Sequence, residues 1–489
     1  MNKRKSSGLS INGKLRVDMI KVEKIYLNGA WVRPHGSERA ALENPATRVH
    51  FASVPLCDET DALAAVEGAA KAFLQWSRTP FAERIERMER MLTVFESMHD
   101  EIVKLEAKEL GAPVFFSRYA HCQRQFERIR AFIDAAREFK CCERFRASTV
   151  LREPIGVVAA ITPWNYPIGQ IVQKVVPAVL MGNTVVLKPS TNTPLTALLL
   201  LQAFEKVGFP AGVVNLLIGR GSELGRILCT HPKVAMVSFT GSTDVGRDIA
   251  RLASHSVKRL ALELGGKSPY IWLKSRDYRA AVPKLVSSIF YNSGQTCTAL
   301  SRLIVPEEDL ADIEALLKEE VVKLKVGDPM DPSTHLGPVA SRAQFETVKS
   351  YIELGIREGA RLVCGGVPEA PQKGYFIAPT VFSDVKNTMR IAREEIFGPV
   401  LCVIPYRTVD EAVEIANDSD YGLSAAVYGE DREACLQVAA RLESGGVYIN
   451  GAHRDDTAPF GGCKQSGYGR EGGREGLLEF TQAKTIYDN

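Results

Sequence analysis

A regular alternation of short β-branched runs with helical segments, from residue 152 onward, most constrains the fold of this chain. The runs "IGVVAAITPW" and "NTVVLKPS" are typical of short buried strands. Because parallel strands need crossover helices between them, the alternation predicts a parallel sheet in an α/β fold. Further strands are predicted at "VVNLLIG" and "VAMVSFT", with helices near 194–207, 222–229 and 243–254.

A second series of the same kind begins near Pro269. Its predicted strands are "SPYIWL", "RLIVP", "VLCVIPY" and "GGVYIN", and one of its helices covers 308–325. Apolar residues at three- and four-residue steps also predict helices from Glu59 to about Lys140. A chain of 489 residues is too long for one ordinary core, so two or three domains are expected.

The net charge of +3 is unevenly distributed. Residues 1–22 carry six Lys or Arg against one Asp, which leaves the rest near neutral and predicts a disordered basic tail. A near-neutral body argues against a nucleic-acid or membrane partner. The best apolar stretch, residues 171–187, is interrupted by Lys174, Gly182 and Asn183, so no membrane span is predicted.

Ten cysteines occur without a C-x-x-C motif, which favours reduced thiols in the cytoplasm. The eight histidines are scattered without ligand spacing, so no metal site is predicted. Cys297 stands apart in the stretch "FYNSGQTCTALSR". A packing cysteine normally has apolar neighbours, whereas this one has polar residues and a glycine around it, which favours a reactive thiol over an inert one.

The stretch "VSFTGSTDVGRDIA" combines a strand, a tight loop from Gly241 to Gly246 and a helix. The free N–H groups of such a helix start can bind phosphate, although an ordinary strand-to-helix turn has the same pattern. Arg247 and Asp248 exclude a P-loop. By pattern alone, "GRGSELG" and "LGGKSPY" are ordinary turns.

Seven motifs occur in a specific order: "TPWNYP", "VVLKPS", "SFTGSTDVG", "LELGGKSP", "GQTC", "EEIFGP" and "PFGGCKQSG". In this order and spacing the chain resembles the aldehyde dehydrogenase superfamily from about residue 25 to its end. The resemblance implies an α/β fold with a Rossmann-like cofactor domain, an α/β catalytic domain and a small oligomerisation flap. The implied ranges are 23–136 and 154–265 for the cofactor domain, 266–465 for the catalytic domain, and 137–153 and 481–489 for the flap, through which a homodimer or homotetramer would form.

The resemblance also implies the chemistry. Cys297 matches the nucleophile, Glu263 the general base and Asn165 the oxyanion donor. Lys174 and Glu471 occupy the positions of a proton relay in some relatives, or are simply solvated charges. The implied reaction is oxidation of a small aldehyde to the carboxylate with NAD(P)+, through a thiohemiacetal and a thioester on the cysteine.

Alternatives to this reaction stay open. The nearest is a CoA-acylating or reductive enzyme of the same fold, although CoA-acylating branches typically lack the glutamate found at Glu263. Two other classes are a binding protein that has lost turnover and a cofactor-free thiol hydrolase. The intact Cys297 and Glu263 argue against the former, and the absence of a histidine near Cys297 in sequence argues against the latter.

The residues that the resemblance implies for the cofactor are Lys188, Gly241, Ser242, Val245, Gly246, Glu395 and Phe397. Thr191 departs from the family, which often has Glu at this position. Because a glutamate there would repel a 2′-phosphate, Thr191 predicts that NADP is accepted as well as NAD.

The segment between Asn450 and Pro459 lines the substrate entrance in relatives. Here it reads "GAHRDDTA", polar and charged where many relatives carry aromatic residues. Arg454 would either face that entrance and favour aldehydes with a distal carboxylate, or pair with Asp455 or Asp456 in solvent.

Overall fold

The computed structural model describes residues 19–369 and 373–488. The N-terminal part is a group of helices with short strands, in which a π-helical turn at Ser117–Gln123 links the fourth and fifth helices. Its elements, with the two strands that follow, are β1 (Ile20–Lys21), β2 (Ile25–Leu27), β3 (Ala30–Val32), β4 (Arg39–Asn44), β5 (Val49–Pro55), α1 (Glu59–Trp76), α2 (Phe81–Glu96), α3 (His99–Glu109), α4 (Val114–Phe116), α5 (Arg124–Arg137), β6 (Cys142–Phe145) and β7 (Ser148–Pro154).

The end of the predicted tail is ordered. Ile20 and Lys21 pair in parallel with Ala52 and Ser53, and Val22 donates its N–H to the Ser53 carbonyl at 2.9 Å. The prediction of disorder up to residue 22 is therefore wrong for residues 20–22, because backbone pairing and burial of Val22 outweigh the basic composition. Residues 1–18 of that predicted tail lie outside the described residues.

The first large sheet is built from five parallel strands in the order β10-β9-β8-β11-β12. Every residue of its strands at 157–161 and 184–188 is buried, as expected for a sheet covered by helices on both faces. The elements are β8 (Val157–Ile161), α6 (Pro167–Leu180), β9 (Thr184–Lys188), α7 (Leu195–Val207), β10 (Val214–Leu216), α8 (Arg226–Thr230), β11 (Val234–Thr240), α9 (Thr243–Ala253) and β12 (Arg259–Glu263).

The second large sheet has seven strands in the order β15-β16-β17-β14-β13-β19-β20, parallel except at β15. The predicted α/β class with two parallel sheets is confirmed. The elements are β13 (Pro269–Trp272), α10 (Val282–Phe290), β14 (Arg302–Pro306), α11 (Leu310–Val321), α12 (Arg342–Arg357), β15 (Arg361–Cys364), β16 (Thr380–Ser383), α13 (Arg390–Arg393), β17 (Val400–Tyr406), α14 (Val409–Asn417), β18 (Tyr421–Gly422), β19 (Ser424–Tyr428), α15 (Arg432–Ala439) and β20 (Gly446–Ile449).

The C-terminal segment returns to the first sheet and then leaves it. Its elements are β21 (Cys463–Lys464), β22 (Gly467–Tyr468), α16 (Gly473–Glu479) and β23 (Thr481–Tyr487). Strand β22 adds antiparallel to β12 at the edge of the first sheet. Strand β23 pairs antiparallel with β7, which also pairs with β6, so the predicted flap segments together form a three-stranded sheet.

The topology brings several predicted site residues to one edge. Lys188 and Glu263 end β9 and β12, Gly241 follows β11, and Asn165 follows β8. The carboxyl ends of parallel strands form the usual ligand-binding edge of an open α/β sheet. Of the helices in residues 19–369 and 373–488, none is both long and apolar enough to cross a bilayer.

Candidate active site

The loop that carries Cys297 has an unusual backbone. Asn292, Ser293 and Gly294 all have positive φ, at 56°, 54° and 72°. A Cβ on Gly294 would lie 2.1 Å from the Gly398 carbonyl oxygen, so no larger residue fits. Left-handed backbone at residues other than glycine costs about 1–3 kcal/mol each and persists only where the surroundings fix it.

Polar side chains supply those surroundings. The Ser293 hydroxyl donates to the Gly337 carbonyl at 2.8 Å. The Gln295 amide donates to the Asn292 carbonyl at 3.0 Å and accepts from the Ala340 N–H at 2.8 Å. The polar composition that sets this stretch apart in the sequence therefore serves to hold the loop.

Cys297 is partly exposed at the end of this loop. The pKa of the thiol is raised to about 12, chiefly by its largely enclosed position and then by the charges of Glu395 and Glu263, while Arg454 opposes the rise. The thiol is therefore protonated at neutral pH in the protein without ligand.

Glu263 ends β12 with its side chain buried, and neither carboxyl oxygen has a hydrogen-bond partner among the residues described. A Cβ on Gly461 would lie 2.7 Å from Glu263 Oε1, so the glycine makes room for the carboxyl group. Burial raises the pKa of Glu263 well above its usual value; Glu471 adds to the rise and Lys174 opposes it.

Lys174 and Glu471 form a buried ion pair, with Nζ 2.5 Å from Oε1. The interpretation of both as solvated charges is therefore wrong. Both charges act on the pKa of Glu263, so the pair belongs to the surroundings of that carboxyl group.

Asn165 is buried and tied to the cysteine loop from both ends. Its side-chain amide donates to the Gln295 carbonyl at 3.0 Å, and its own carbonyl accepts from the Asn292 amide at 2.9 Å. The loop after β8 and the loop before Cys297 are thereby held in one fixed relationship.

The N-terminus of α9 has the features of a phosphate cradle. Ser242 caps the helix by accepting from the Val245 N–H at 3.4 Å. A Cβ on Gly246 would lie 2.5 Å from Leu264, so this glycine permits the helix to approach β12 closely. Gly241 donates its N–H to the Glu263 carbonyl at 3.0 Å, and Val245 is 47% exposed on the first turn.

Lys188 supplies a buried cation at the same edge. Burial lowers the pKa of Lys188 to about 8, and its ammonium group makes one hydrogen bond within the described parts of the chain, to the Pro189 carbonyl at 3.3 Å. Two of its three donors remain for a ligand. Thr191 lies partly exposed in the turn before α7.

Glu395 and Phe397 lie close to the cysteine loop. The Glu395 carboxylate accepts from the Gly266 N–H at 3.1 Å, and burial raises the pKa of Glu395 to about 7. The ring of Phe397 contacts Trp164 edge-on, with centroids 5.4 Å apart. Gly266, which looked like part of an ordinary turn, lies so close to the Cys297 carbonyl that a Cβ would be 2.5 Å from it.

Comparison with known proteins agrees with this geometry. A family model described as "Aldehyde dehydrogenase family" matches residues 31–486. A Pseudomonas protein named 3-succinoylsemialdehyde-pyridine dehydrogenase is 45% identical over 468 residues, which cover 95% of this chain and 98% of that protein.

The chain belongs to the aldehyde dehydrogenase family.

Solved structures of other aldehyde dehydrogenases share the fold. Aldehyde dehydrogenase C from Pseudomonas syringae, a cysteine-to-alanine mutant in complex with NAD+ and octanal, aligns with a TM-score of 0.94 at 43% identity over 95% of this chain and 96% of that one. The Mycobacterium tuberculosis aldehyde dehydrogenase in complex with NAD+ also gives 0.94, at 41% identity over 96% and 99%. The predicted family and fold are confirmed.

This aldehyde dehydrogenase also has residues near the thiol that sequence reasoning missed. The Tyr166 hydroxyl lies 2.9 Å from Thr296 Oγ1, next to Cys297 in the chain. The Tyr166 ring stacks on His121 at 4.7 Å between centroids. The sequence held one signal for Tyr166, its position within "TPWNYP", but none for His121, which lies 45 positions away.

The segment at 450–459 meets helix α5. Arg454 is an ion-pair neighbour of Asp456 at 3.5 Å, as one of the two interpretations held, but the pair is largely enclosed rather than free in solvent. Arg124 and Arg128 of α5, which no sequence motif identified, bind the same carboxylate at 3.0 Å each.

Proposed function

We propose that the protein oxidises an aldehyde to the carboxylate with NAD(P)+, and that Cys297 is the nucleophile. The observation that carries this proposal is a partly exposed thiol beside a buried carboxyl group that has no protein partner in the described residues. Buried polar groups are nearly always hydrogen-bonded, so an unpartnered carboxyl group beside a nucleophile points to a bound water or substrate as its partner.

In the first step, the Cys297 sulfur adds to the aldehyde carbon and its proton leaves to solvent or to Glu263. The carbonyl oxygen becomes anionic, and the Asn165 amide with the Cys297 N–H is suited to stabilise it. One such donor contributes about 3 kcal/mol to transition-state stabilisation. One Asn165 N–H is used by the Gln295 carbonyl, which leaves the other for the oxyanion.

The residues at the carboxyl edge of the first sheet, together with Glu395, fit a dinucleotide. Lys188 offers two free donors for ribose hydroxyls, the start of α9 offers N–H groups for the pyrophosphate, and Glu395 offers a carboxylate for the second ribose. When bound, the nicotinamide supplies the hydride acceptor for the thiohemiacetal carbon. We infer from Thr191 that this site takes NADP as well as NAD.

In the last step, Glu263 takes a proton from water, which attacks the thioester and releases the carboxylate and the free thiol. Burial raises the pKa of Glu263, and a higher pKa makes its carboxylate a stronger base towards water. Hydrolysis by this base is the reason that we favour oxidation over acyl transfer to coenzyme A. An aldehyde panel with NAD+ and NADP+, followed at the absorbance of the reduced cofactor, tests the proposal.

We further infer a homodimer or homotetramer that forms through the flap. Among the described residues, its outer strands β6 and β23 each pair on one side only, and Phe145, Ile486 and Tyr487 are exposed there at 54%, 46% and 83%. Exposed edges with apolar side chains favour pairing with another chain. Light scattering of the purified protein measures the number of subunits.

The ten free cysteines support the predicted cytoplasmic location.

A further inference from the structure

Three arginine side chains converge on one carboxylate near the thiol. Arg124 and Arg128, one turn apart on α5, place Nε 3.0 Å from an oxygen of Asp456. Arg454, two residues before Asp456, places Nε 3.5 Å from it. Asp456 balances one of the three guanidinium groups, and the charges of Glu471 and Glu263 also interact with Arg128 and Arg454, respectively.

The cluster is enclosed rather than solvated. The side chains of Arg124 and Arg454 are 25% and 15% exposed, and that of Asp456 is 15% exposed. Arg454 lies 3.8 Å from the centroid of the Phe460 ring, an arrangement that stabilises a cation from one face. Enclosing a cation without a paired anion costs free energy, and a bound anionic ligand would offset that cost.

Arg454 also keeps a terminal nitrogen for a ligand. Its Nη2 donates to the Gln173 side chain at 2.9 Å and its buried Nε faces Asp456 at 3.5 Å, whereas its Nη1 makes no hydrogen bond within residues 19–369 and 373–488. Arg128 differs, because its Nη1 donates to Gln125 at 2.8 Å and its side chain is the most enclosed of the three. The hydrogen bonds of Arg124 to described residues leave from Nε and Nη2.

The cluster adjoins the reacting groups. The pKa of Tyr166 is raised, and burial is the largest cause. The hydrogen bond to Thr296 lowers this pKa, and the charge of Cys297 raises it. The charges of Arg124 and Arg128 lower it. Arg454 acts directly on Cys297 and Glu263. The cluster thus lies near Tyr166, whose hydroxyl is 2.9 Å from Thr296 Oγ1, next to Cys297 in the chain.

We propose that Arg124 and Arg454 bind a carboxylate at the end of the substrate opposite its aldehyde group. The planar guanidinium fork matches a carboxylate through two parallel N–H donors, which a single point charge does not provide. This inference rests on the proposed function, because it assigns the substrate class to the same site. Arg128 has the separate task of fixing Asp456, which holds the other two arginines in place.

The test compares two aldehydes of equal length, succinic semialdehyde and butanal, by kcat/KM with NAD+. The wild type is expected to prefer the semialdehyde by at least about tenfold, and Arg124→Met and Arg454→Met each to reduce that ratio by about tenfold or more. The matched control is Arg130→Met, also on α5, whose side chain is 47% exposed and pairs with Glu96. Its ratio is expected to equal that of the wild type.

A second measurement needs no variant. Succinate should inhibit butanal oxidation by the wild type competitively, whereas its uncharged diamide should not. Equal use of the two aldehydes by the wild type, ratios that do not fall in both arginine variants, or no inhibition by succinate would each overturn the carboxylate site. If the wild type oxidises neither these aldehydes nor octanal, the proposed function itself has failed.

Discussion

Lys174 and Glu471 lie 297 positions apart in the chain, yet their Nζ and Oε1 atoms are 2.5 Å apart in a buried ion pair. Both charges affect the pKa of the Glu263 carboxyl group. Burial is the largest cause of its rise; Glu471 adds to the rise, and Lys174 opposes it. The ion pair therefore adjusts the pKa of Glu263, the candidate base, independently of any role of the pair in proton transfer.

The two partners should shift the pH profile in opposite directions. Lys174→Met removes a charge that lowers the Glu263 pKa, so the acid limb of kcat should move to higher pH. Glu471→Gln removes a charge that raises it, so the limb should move to lower pH. Steady-state kcat between pH 5 and 9 measures both shifts; movement of both limbs in one direction would contradict this assignment.

The same two single variants should have a lower free energy of unfolding than the wild type. Removing one partner of a buried ion pair leaves the other charge uncompensated, which typically costs about 3–5 kcal/mol. The double variant Lys174→Met/Glu471→Leu should recover much of that loss, because no buried charge remains. Urea unfolding compares the three variants, and a double variant less stable than both single ones would contradict this explanation.

The glycine of the cysteine loop should be irreplaceable for a steric reason. Gly294 and Gly208 have similar φ values, 72° and 78°, but a Cβ at Gly294 meets the Gly398 carbonyl at 2.1 Å and one at Gly208 meets nothing within 4 Å. Gly208→Ala should cost about 1–2 kcal/mol for its backbone alone and keep kcat. Gly294→Ala should cost more and lose most of kcat; equal effects of the two substitutions would show that crowding has no role.

The reactivity of Cys297 should follow its raised pKa. With a pKa of about 12, the thiolate fraction rises about tenfold per pH unit through neutral and mildly alkaline pH. Alkylation by iodoacetamide, followed at the peptide containing Cys297 in the enzyme without cofactor, should therefore show no plateau between pH 7 and 10. A plateau below pH 8 would mean that the thiol is already activated before the cofactor binds.

Much of the fold and many residues of the candidate site could be predicted from the sequence, because those signals are local. Apolar runs such as residues 157–161 and 184–188 indicate buried parallel strands on their own. The motif around Cys297 likewise indicates a nucleophile. Contacts between distant residues gave no such signal: Arg124 and Asp456 are 332 positions apart, and only the packing of α5 against the segment at 450–459 brings them together. The strand at Ile20–Lys21 was not predicted, because the basic composition of residues 1–22 indicated disorder, although these two residues pair with β5.

The proposed use of both cofactors rests on Thr191. Without a carboxylate at this position, NADP+ should give kcat/KM comparable to that with NAD+. Thr191→Glu should depress NADP+ use selectively, by a factor of ten for each ~1.4 kcal/mol of repulsion between the carboxylate and the 2′-phosphate. Thr191→Val is the matched control, since it removes the hydroxyl without adding charge. A wild type that barely uses NADP+, or a glutamate variant that loses both cofactors equally, would show that Thr191 does not set the preference.

The central claim is that Cys297 carries the acyl group and Glu263 drives its hydrolysis, and intact mass spectrometry of Glu263→Gln tests it most directly. After mixing with NAD+ and octanal, that variant should gain the mass of one acyl group on Cys297, while Glu263→Gln/Cys297→Ser gains none. The wild type should show little adduct, because water clears it. If Glu263→Gln turns over at the wild-type rate with no adduct, or if the adduct forms without Cys297, the account of this site is wrong.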